Sequence, residues 1–317
     1  MVNDRLCLLV CLADNCWNDW EGFPSGFGGE YQPVLRADVD SWHEICDYAL
    51  ENGFNGILLD LANGIKYKTH PEIAVEGAWT PEFLKEEIRR YKEKGLTIYP
   101  RLNFSAGHDA WLEEYSRMVS TQKYYEVTRD LIHEVCDIFD TPEFFSVVLD
   151  EESSDMQERL LYSCCRQYEL LWHDLVYLCN CVREKGVRPC MGADLYWAHP
   201  KEFLENVPKD AIICPWYYLN LYFDAAHPRH TNAWGINRLE CFEVLTKAGY
   251  DIMIQPSANV NTYNVEQTIR YTRENAVPEK VFGMLMCGSW GAPSEDSKYY
   301  YLDAINQARY TIDEMRG

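Results

Sequence analysis

Phe144-Phe145-Ser146-Val147-Val148-Leu149-Asp150-Glu151-Glu152 is the stretch from which the rest of the chain can be read. A short apolar run rich in aromatic and β-branched residues fits a strand buried on both faces. This one ends in three adjacent acids. Charges at the end of a buried strand are costly unless water, a substrate or a cation meets them. The stretch therefore predicts a parallel strand whose C-terminal end opens on a site.

Working outward, seven more runs share that character. With the first they give strands over 6–13, 56–61, 96–103, 145–150, 187–193, 211–216, 251–255 and 281–287. Amphipathic patterns at helical spacing lie between them, over 39–51, 81–94, 123–139, 156–184, 201–205, 236–248, 265–274 and 298–315. Punctuation agrees: Thr80-Pro81-Glu82 opens a helix with a cap, a first-turn proline and an acid. Gly53, Gly95, Gly186 and Gly249 each stop a helix before the next strand. Eight alternating strand–helix units predict an α/β fold, a (β/α)8 TIM barrel forming a single domain over residues 1–317. The long connections over 14–38, 62–79 and 217–235 all follow strand C-termini, the functional face of such a barrel.

Composition narrows the function. The formal net charge of −21 repels phosphate backbones and anionic lipid surfaces, so neither nucleic acid nor membrane is expected as a partner. No glycine-rich phosphate loop is present, and no cofactor is expected. The 13 cysteines include no Cys-x-x-Cys pair and no zinc spacing with histidine. They sit mostly in apolar runs and read as free thiols in a reducing compartment, so a cytoplasmic protein is expected. The apolar run 6–13 lacks a basic n-region and is too short to span a membrane. Aromatics reach 14%, with 10 Trp and 22 Tyr. Core packing accounts for many of them, but the excess also suits stacking on sugar rings.

In this fold, catalytic groups come from the ends of several strands. Those ends carry Asp60; Asn103 with Ser105 and His108; Asp150-Glu151-Glu152; Asp194, Tyr196 and Trp197; Trp216-Tyr217-Tyr218; Gln255, Asn259 and Tyr263; and Ser289-Trp290. Carboxylates, amides and rings on one mouth are the lining of a carbohydrate pocket, so a small carbohydrate is the expected substrate. Adjacent like charges raise one carboxyl's pKa, which prepares a general acid. Catalysis is assigned to Asp150 and Glu151. Glu152 and Asp155 are read instead as caps on the positive end of the next helix. Trp17, Trp20 and Phe23 follow the first strand and either cover the mouth or make a homo-oligomer contact. His227-Pro228-Arg229-His230 reads as a solvated loop, and His133-Glu134 lacks the second histidine of a zinc motif.

The ordered set resembles the catalytic barrel of glycoside hydrolase family 20, the β-N-acetylhexosaminidases. The family's strand-4 motif H-x-G-G-D-E falls on Ser146-Val147-Val148-Leu149-Asp150-Glu151. Its strand-3 motif P-E-I-D-x-P-G-H resembles Pro100 through His108, with one residue more. Asp194, Trp216 and Trp290-Gly291 match the strand-5 acid, the strand-6 tryptophan and the strand-8 W-G pair. The chain departs from the pattern where Arg101 and Asn103 replace Glu-x-Asp, where Ala292 stands for the acid after W-G, and where no strand-1 arginine occurs. The resemblance implies a retaining hydrolase without an enzyme nucleophile. Glu151 would be the acid/base, and Asp150 would orient the substrate's attacking acetamido group. Trp216 and Trp290 would be pocket walls; Tyr217, Tyr218 or Tyr263 would bond the cyclic intermediate. Asp60, Asn103, His108, Asp194 and Trp197 complete the expected substrate-binding set.

Two other functions fit the same residues. One is a metal-dependent lyase or isomerase on sugar acids, with Asp60, Asp150, Glu151 and Asp194 as oxygen ligands. The other is a barrel that binds sugars without turning them over.

Overall fold

A computed structural model describes residues 5–17, 19, 30–158, 160–226 and 236–316. Eight parallel strands close into a barrel in sequence order, with β8 pairing back onto β1. The strands are β1 Leu6–Cys11, β2 Gly56–Asp60, β3 Thr97–Asn103, β4 Phe144–Val148, β5 Arg188–Gly192, β6 Ile212–Cys214, β7 Asp251–Ile254 and β8 Val281–Cys287. Each falls within a residue or two of its predicted span.

The helices are α1 Val39–Glu51, α2 Pro81–Lys94, α3 Gln122–Ile138, α4 Ser154–Gln157, α5 Tyr168–Glu184, α6 Asp194–Ala198, α7 Pro200–Asn206, α8 Leu221–Ala226, α9 Ile236–Lys247, α10 Asn264–Asn275 and α11 Lys298–Arg316. Caps decide the starts. Asp38, Thr80 and Thr121 accept from the backbone N–H groups of Ser41, Phe83 and Tyr124. Gly95 ends α2 at φ 95°, a left-handed conformation that glycine adopts without steric cost.

One predicted helix is corrected. The span 156–184 is broken into α4 and α5, with residues 158 and 160–167 outside any helix between them. The cause is Arg166, whose side chain turns inward to a buried carboxylate pair, and Tyr168, whose φ of 52° cannot continue a helix. Helical periodicity does not report such a detour.

Strand alternation sorts the core into two shells. Odd or even, one set of side chains from each strand packs under the helices: Leu8, Val10, Ile57, Leu59, Ile98, Leu102, Phe145 and Val147 belong to it. The other set fills the barrel axis. At the N-terminal end Tyr99 stacks on Phe144, centroids 4.1 Å apart, and Phe282 meets Phe144 edge-on at 5.9 Å. A Cβ on Gly56 would lie 2.4 Å from Cys7 Sγ and 3.3 Å from the Tyr99 ring, so this glycine makes room for the plug. The bottom of the barrel is thus closed by rings. Any cavity must open at the C-terminal ends.

All 13 cysteines are free thiols, 11 of them buried. Burial pushes the Cys7 and Cys179 thiols up to about 12, far from the reactive range. Among the described residues no helix is long and apolar enough to cross a membrane.

Candidate active site

Above the plug, the inward-facing set changes from apolar to polar. On β3 it runs Tyr99, Arg101, Asn103; on β4 it runs Phe144, Ser146, Val148 and then Asp150. The walls enclose a cavity of about 260 Å³. That is below the usual range of ~300–1,000 Å³ for drug-sized ligands, so it offers room for a compact ligand rather than a chain.

The floor is an ion network. Arg101 Nε lies 2.9 Å from Asp60 Oδ2, and its Nη2 lies 3.7 Å from Asp150 Oδ2. Asn103 Nδ2 donates to Asp150 Oδ1 at 2.7 Å. Trp111 Nε1 in turn donates to the Asn103 carbonyl at 2.7 Å and fixes the end of β3. Burial pushes the Asp60 carboxyl up; Arg101 opposes that, and Asp150 adds to it. The guanidinium is held charged by Asp60 and Asp150 against the cost of burial.

Glu151 sits beside this network with its own partner. His108 Nε2 is 3.3 Å from Glu151 Oε2. Burial works against the imidazolium, but Asp150 and Glu151 outweigh it and His108 is shifted up. Trp17 meets the His108 ring edge-on at 5.7 Å. Glu151 has φ 49°, the left-handed region, where a non-glycine residue is strained. Such strain persists only when the surroundings over-determine it, and it clusters at functional sites.

Asp194 lies behind the pair. Its Oδ1 accepts from the Glu151 backbone N–H at 3.2 Å, and its Oδ2 accepts from Trp216 Nε1 at 3.1 Å. It is the carboxyl that crowding raises to about 7, through burial first and then Asp150 and Glu151. Trp216 stacks on Tyr218 at 5.0 Å, and Tyr218 Oη accepts from Gln255 Nε2 at 2.8 Å. Trp290 completes the lining on the β8 side.

The barrel thus brings Asp60, Asn103, His108, Asp150, Glu151, Asp194, Trp216, Tyr218 and Trp290 to one cavity. Three expected ligands are placed elsewhere. Tyr217 is buried against Leu221 and Leu239, because alternation turns residue 217 outward when 216 and 218 point in. Tyr263 is 66% exposed at the start of α10 and does not line the cavity. Trp197, one turn into α6, packs edge-on behind Trp216 at 4.8 Å. Glu152 is not a helix cap. It is buried against Arg166, and the residue preceding α4 is Ser153. Trp20, Phe23 and the 227–230 loop lie outside the described residues. His133 faces Glu184 at 3.0 Å on the outer surface, and Glu134 accepts from the backbone of Lys68 and Thr69.

Two residues are added. Arg101 was legible as a charge at an inward register position of a buried strand, in step with Asn103. Arg238 had no such signal. It comes from α9, and its guanidinium lies 4.0 Å over Trp197 and 4.6 Å over Trp216. Arg101 also bears on the metal reading, since a guanidinium already stands between Asp60 and Asp150. Among the described residues no group of three or more His, Cys, Asp or Glu is arranged to hold a metal ion.

No protein-family model matches the sequence, and no curated protein does. Solved structures match in fold. A β-N-acetylhexosaminidase from Bacteroides fragilis NCTC 9343 superposes with a TM-score of 0.62 at 14% identity, over 96% of this chain and 65% of that one. The GH20 exo-β-N-acetylglucosaminidase from Vibrio harveyi gives 0.60 at 14%, over 99% and 57%. The GH20 β-N-acetylhexosaminidase from Streptomyces coelicolor A3(2) gives 0.61 at 10%, over 95% and 63%. The chain spans less than two thirds of the length of these structures. At such identities the likeness establishes the barrel fold.

Proposed function

We propose that this barrel is a retaining glycoside hydrolase that takes one sugar unit into the cavity, with Glu151 as acid/base and Asp150 orienting a 2-acetamido group. The observation that carries the reading is the division of labour between the two neighbours. Asp150 is held by Asn103 and Arg101 on the floor, while Glu151 stands toward the mouth against a histidine. A carboxylate fixed by two donors and a carboxyl beside a protonatable partner suit two different tasks.

In the first step Glu151 gives its proton to the glycosidic oxygen, and the acetamido oxygen attacks the anomeric carbon. The leaving alcohol departs and a cyclic oxazolinium forms, with Asp150 facing the acetamido N–H. Glu151, now ionised, takes a proton from water, which opens the ring with net retention. Trp216 and Trp290 wall the sugar. Engagement of both Asp194 oxygens favours this route over a covalent one through Asp194. We read the chain as one catalytic domain of a reducing compartment, in keeping with its free thiols.

Glu151→Gln tests the reading. Turnover of an unactivated glycoside should fall by about 10²–10⁴-fold, the usual share of general acid catalysis, with the fold retained. A variant within threefold of the parent removes the assignment. An N-acetyl-thiazoline should compete tightly. Labelling of a carboxylate by a 2-fluoro sugar, without thiazoline inhibition, would leave a glycosidase but not the acetamido route.

A further inference from the structure

Glu151 is strained at φ 49°, and a proton donor must be aimed. Something has to hold that peptide. On its C-terminal side Glu152 is pinned by Arg166. On its N-terminal side the Glu151 N–H runs into Asp194 Oδ1 at 3.2 Å. The other oxygen of the same carboxylate holds the Trp216 indole N–H at 3.1 Å. Asp194 is buried, and both of its oxygens are engaged by protein donors. β5 is shaped around it, since a Cβ on Gly192 would fall 2.5 Å from Asp194 Oδ2.

We infer that Asp194 is a positioning residue: it aims the Glu151 proton by fixing the Glu151 peptide, sets the Trp216 wall with its second oxygen, and does not itself ligate the sugar. This rests on the proposed role of Glu151. A carboxylate spanning the acid's backbone and the pocket wall couples them.

The test separates aim from binding by leaving group. A methyl glycoside needs its oxygen protonated as it departs; a 2,4-dinitrophenyl glycoside hardly does. In Asp194→Asn one of the two N–H groups meets a neutral amide oxygen and the other an NH2 that cannot accept, so the charge-assisted bond to the Glu151 N–H is weakened or lost in either orientation. Its kcat/KM on methyl N-acetylglucosaminide should fall about ten- to a hundredfold more than on the dinitrophenyl substrate, the size of a lost charge-assisted hydrogen bond. The loss should sit in kcat, with KM nearly constant. Gly192→Ala, whose Cβ would fall 2.5 Å from Oδ2 and so turn the whole carboxylate off both N–H groups, should give the same split. Equal losses on both substrates with a raised KM would make Asp194 a sugar ligand and overturn the inference, as would no loss at all. Glu151→Gln run alongside distinguishes the two failures. If it shows the leaving-group split and Asp194→Asn does not, only the positioning role falls. If it shows none, the acid assignment falls and takes this inference with it.

Discussion

Two buried arginines, one within β3 and one just before α5, are built on opposite principles. Arg166 is sealed. It donates to Glu152 through Nε and Nη2 at 3.0 Å each, to Asp174 at 3.2 Å, to Tyr124 Oη at 3.2 Å and to the Phe104 carbonyl at 3.2 Å. Glu152 also accepts from the Ala106 N–H, and Asp174 from Ser120 and Tyr125. Arg101 is the reverse. It has two carboxylates near it, and atoms in its surroundings are left over. Asp60 Oδ1 and His108 Nδ1 are buried with no hydrogen-bond partner. A buried polar group without a partner is costly, so atoms left over beside the cavity are where water or a ligand would find hydrogen bonds. The sealed cluster holds the β3 extension to β4; the open one faces the cavity.

Substituting each arginine should separate these roles. Arg166→Met strands Glu152 and Asp174 without their cation, and removing one partner of a buried network costs about 3–5 kcal/mol. A large fall in Tm is expected, and a fall in catalysis only through loss of folded protein. Arg101→Met should cost less, about 1–2 kcal/mol, because Asp150 keeps solvent contact at the cavity, its side chain 20% exposed, whereas Asp174 is fully buried. Its effect should appear in turnover, since Asp150 loses its cation. Chemical denaturation and single-turnover rates check both. Equal stability losses would erase the distinction.

Buried carboxyls set the pH response. Asp194 is raised to about 7 and Asp109 to about 6, both from 3.8. Folded carboxyls with raised pKa bind protons that the unfolded chain releases, so stability falls as pH climbs from about 4 to about 7. His108 is raised above 6.5, and its contribution is complete below that value and lost as pH rises through the folded pKa. The slopes have one sign. Glu72 and Asp210 are shifted down, but their window lies below about pH 4.5. Tm should therefore be a few degrees higher at about pH 5.5 than at about pH 8, and Asp194→Asn should flatten the profile. A Tm that rises with pH over that range would contradict the crowding of the mouth.

The smallest effect concerns thiols. Cys165 is exposed and Cys164 half-buried, while the other cysteines are buried. Under native conditions a thiol reagent should modify Cys165 first, and after denaturation all 13. Protected pairs after denaturation would contradict the free-thiol state.

Much of the fold was legible because a barrel strand is a local object. Its apolar run, the glycine before it and the cap after it are all written within a dozen residues. Asp150 and Glu151 were legible for the same reason, as acids closing an apolar strand. Arg166 was not, because nothing nearby says that a residue in a helical-looking span will turn inward to Glu152. Tyr217 and Tyr218 were not told apart, because a one-residue choice of register exchanges the two faces of a strand.

By itself, then, the chain determined eight strand–helix units and the placing of its acids at one mouth, since period and punctuation are properties of neighbours. Tertiary structure alone decided that Arg101 bridges Asp60 and Asp150, that Asp194 is used by Glu151 and Trp216, and that Arg238 covers two tryptophans. Those contacts join residues 22 to 49 positions apart. They exist only once the barrel has closed and brought its strand ends within hydrogen-bonding distance.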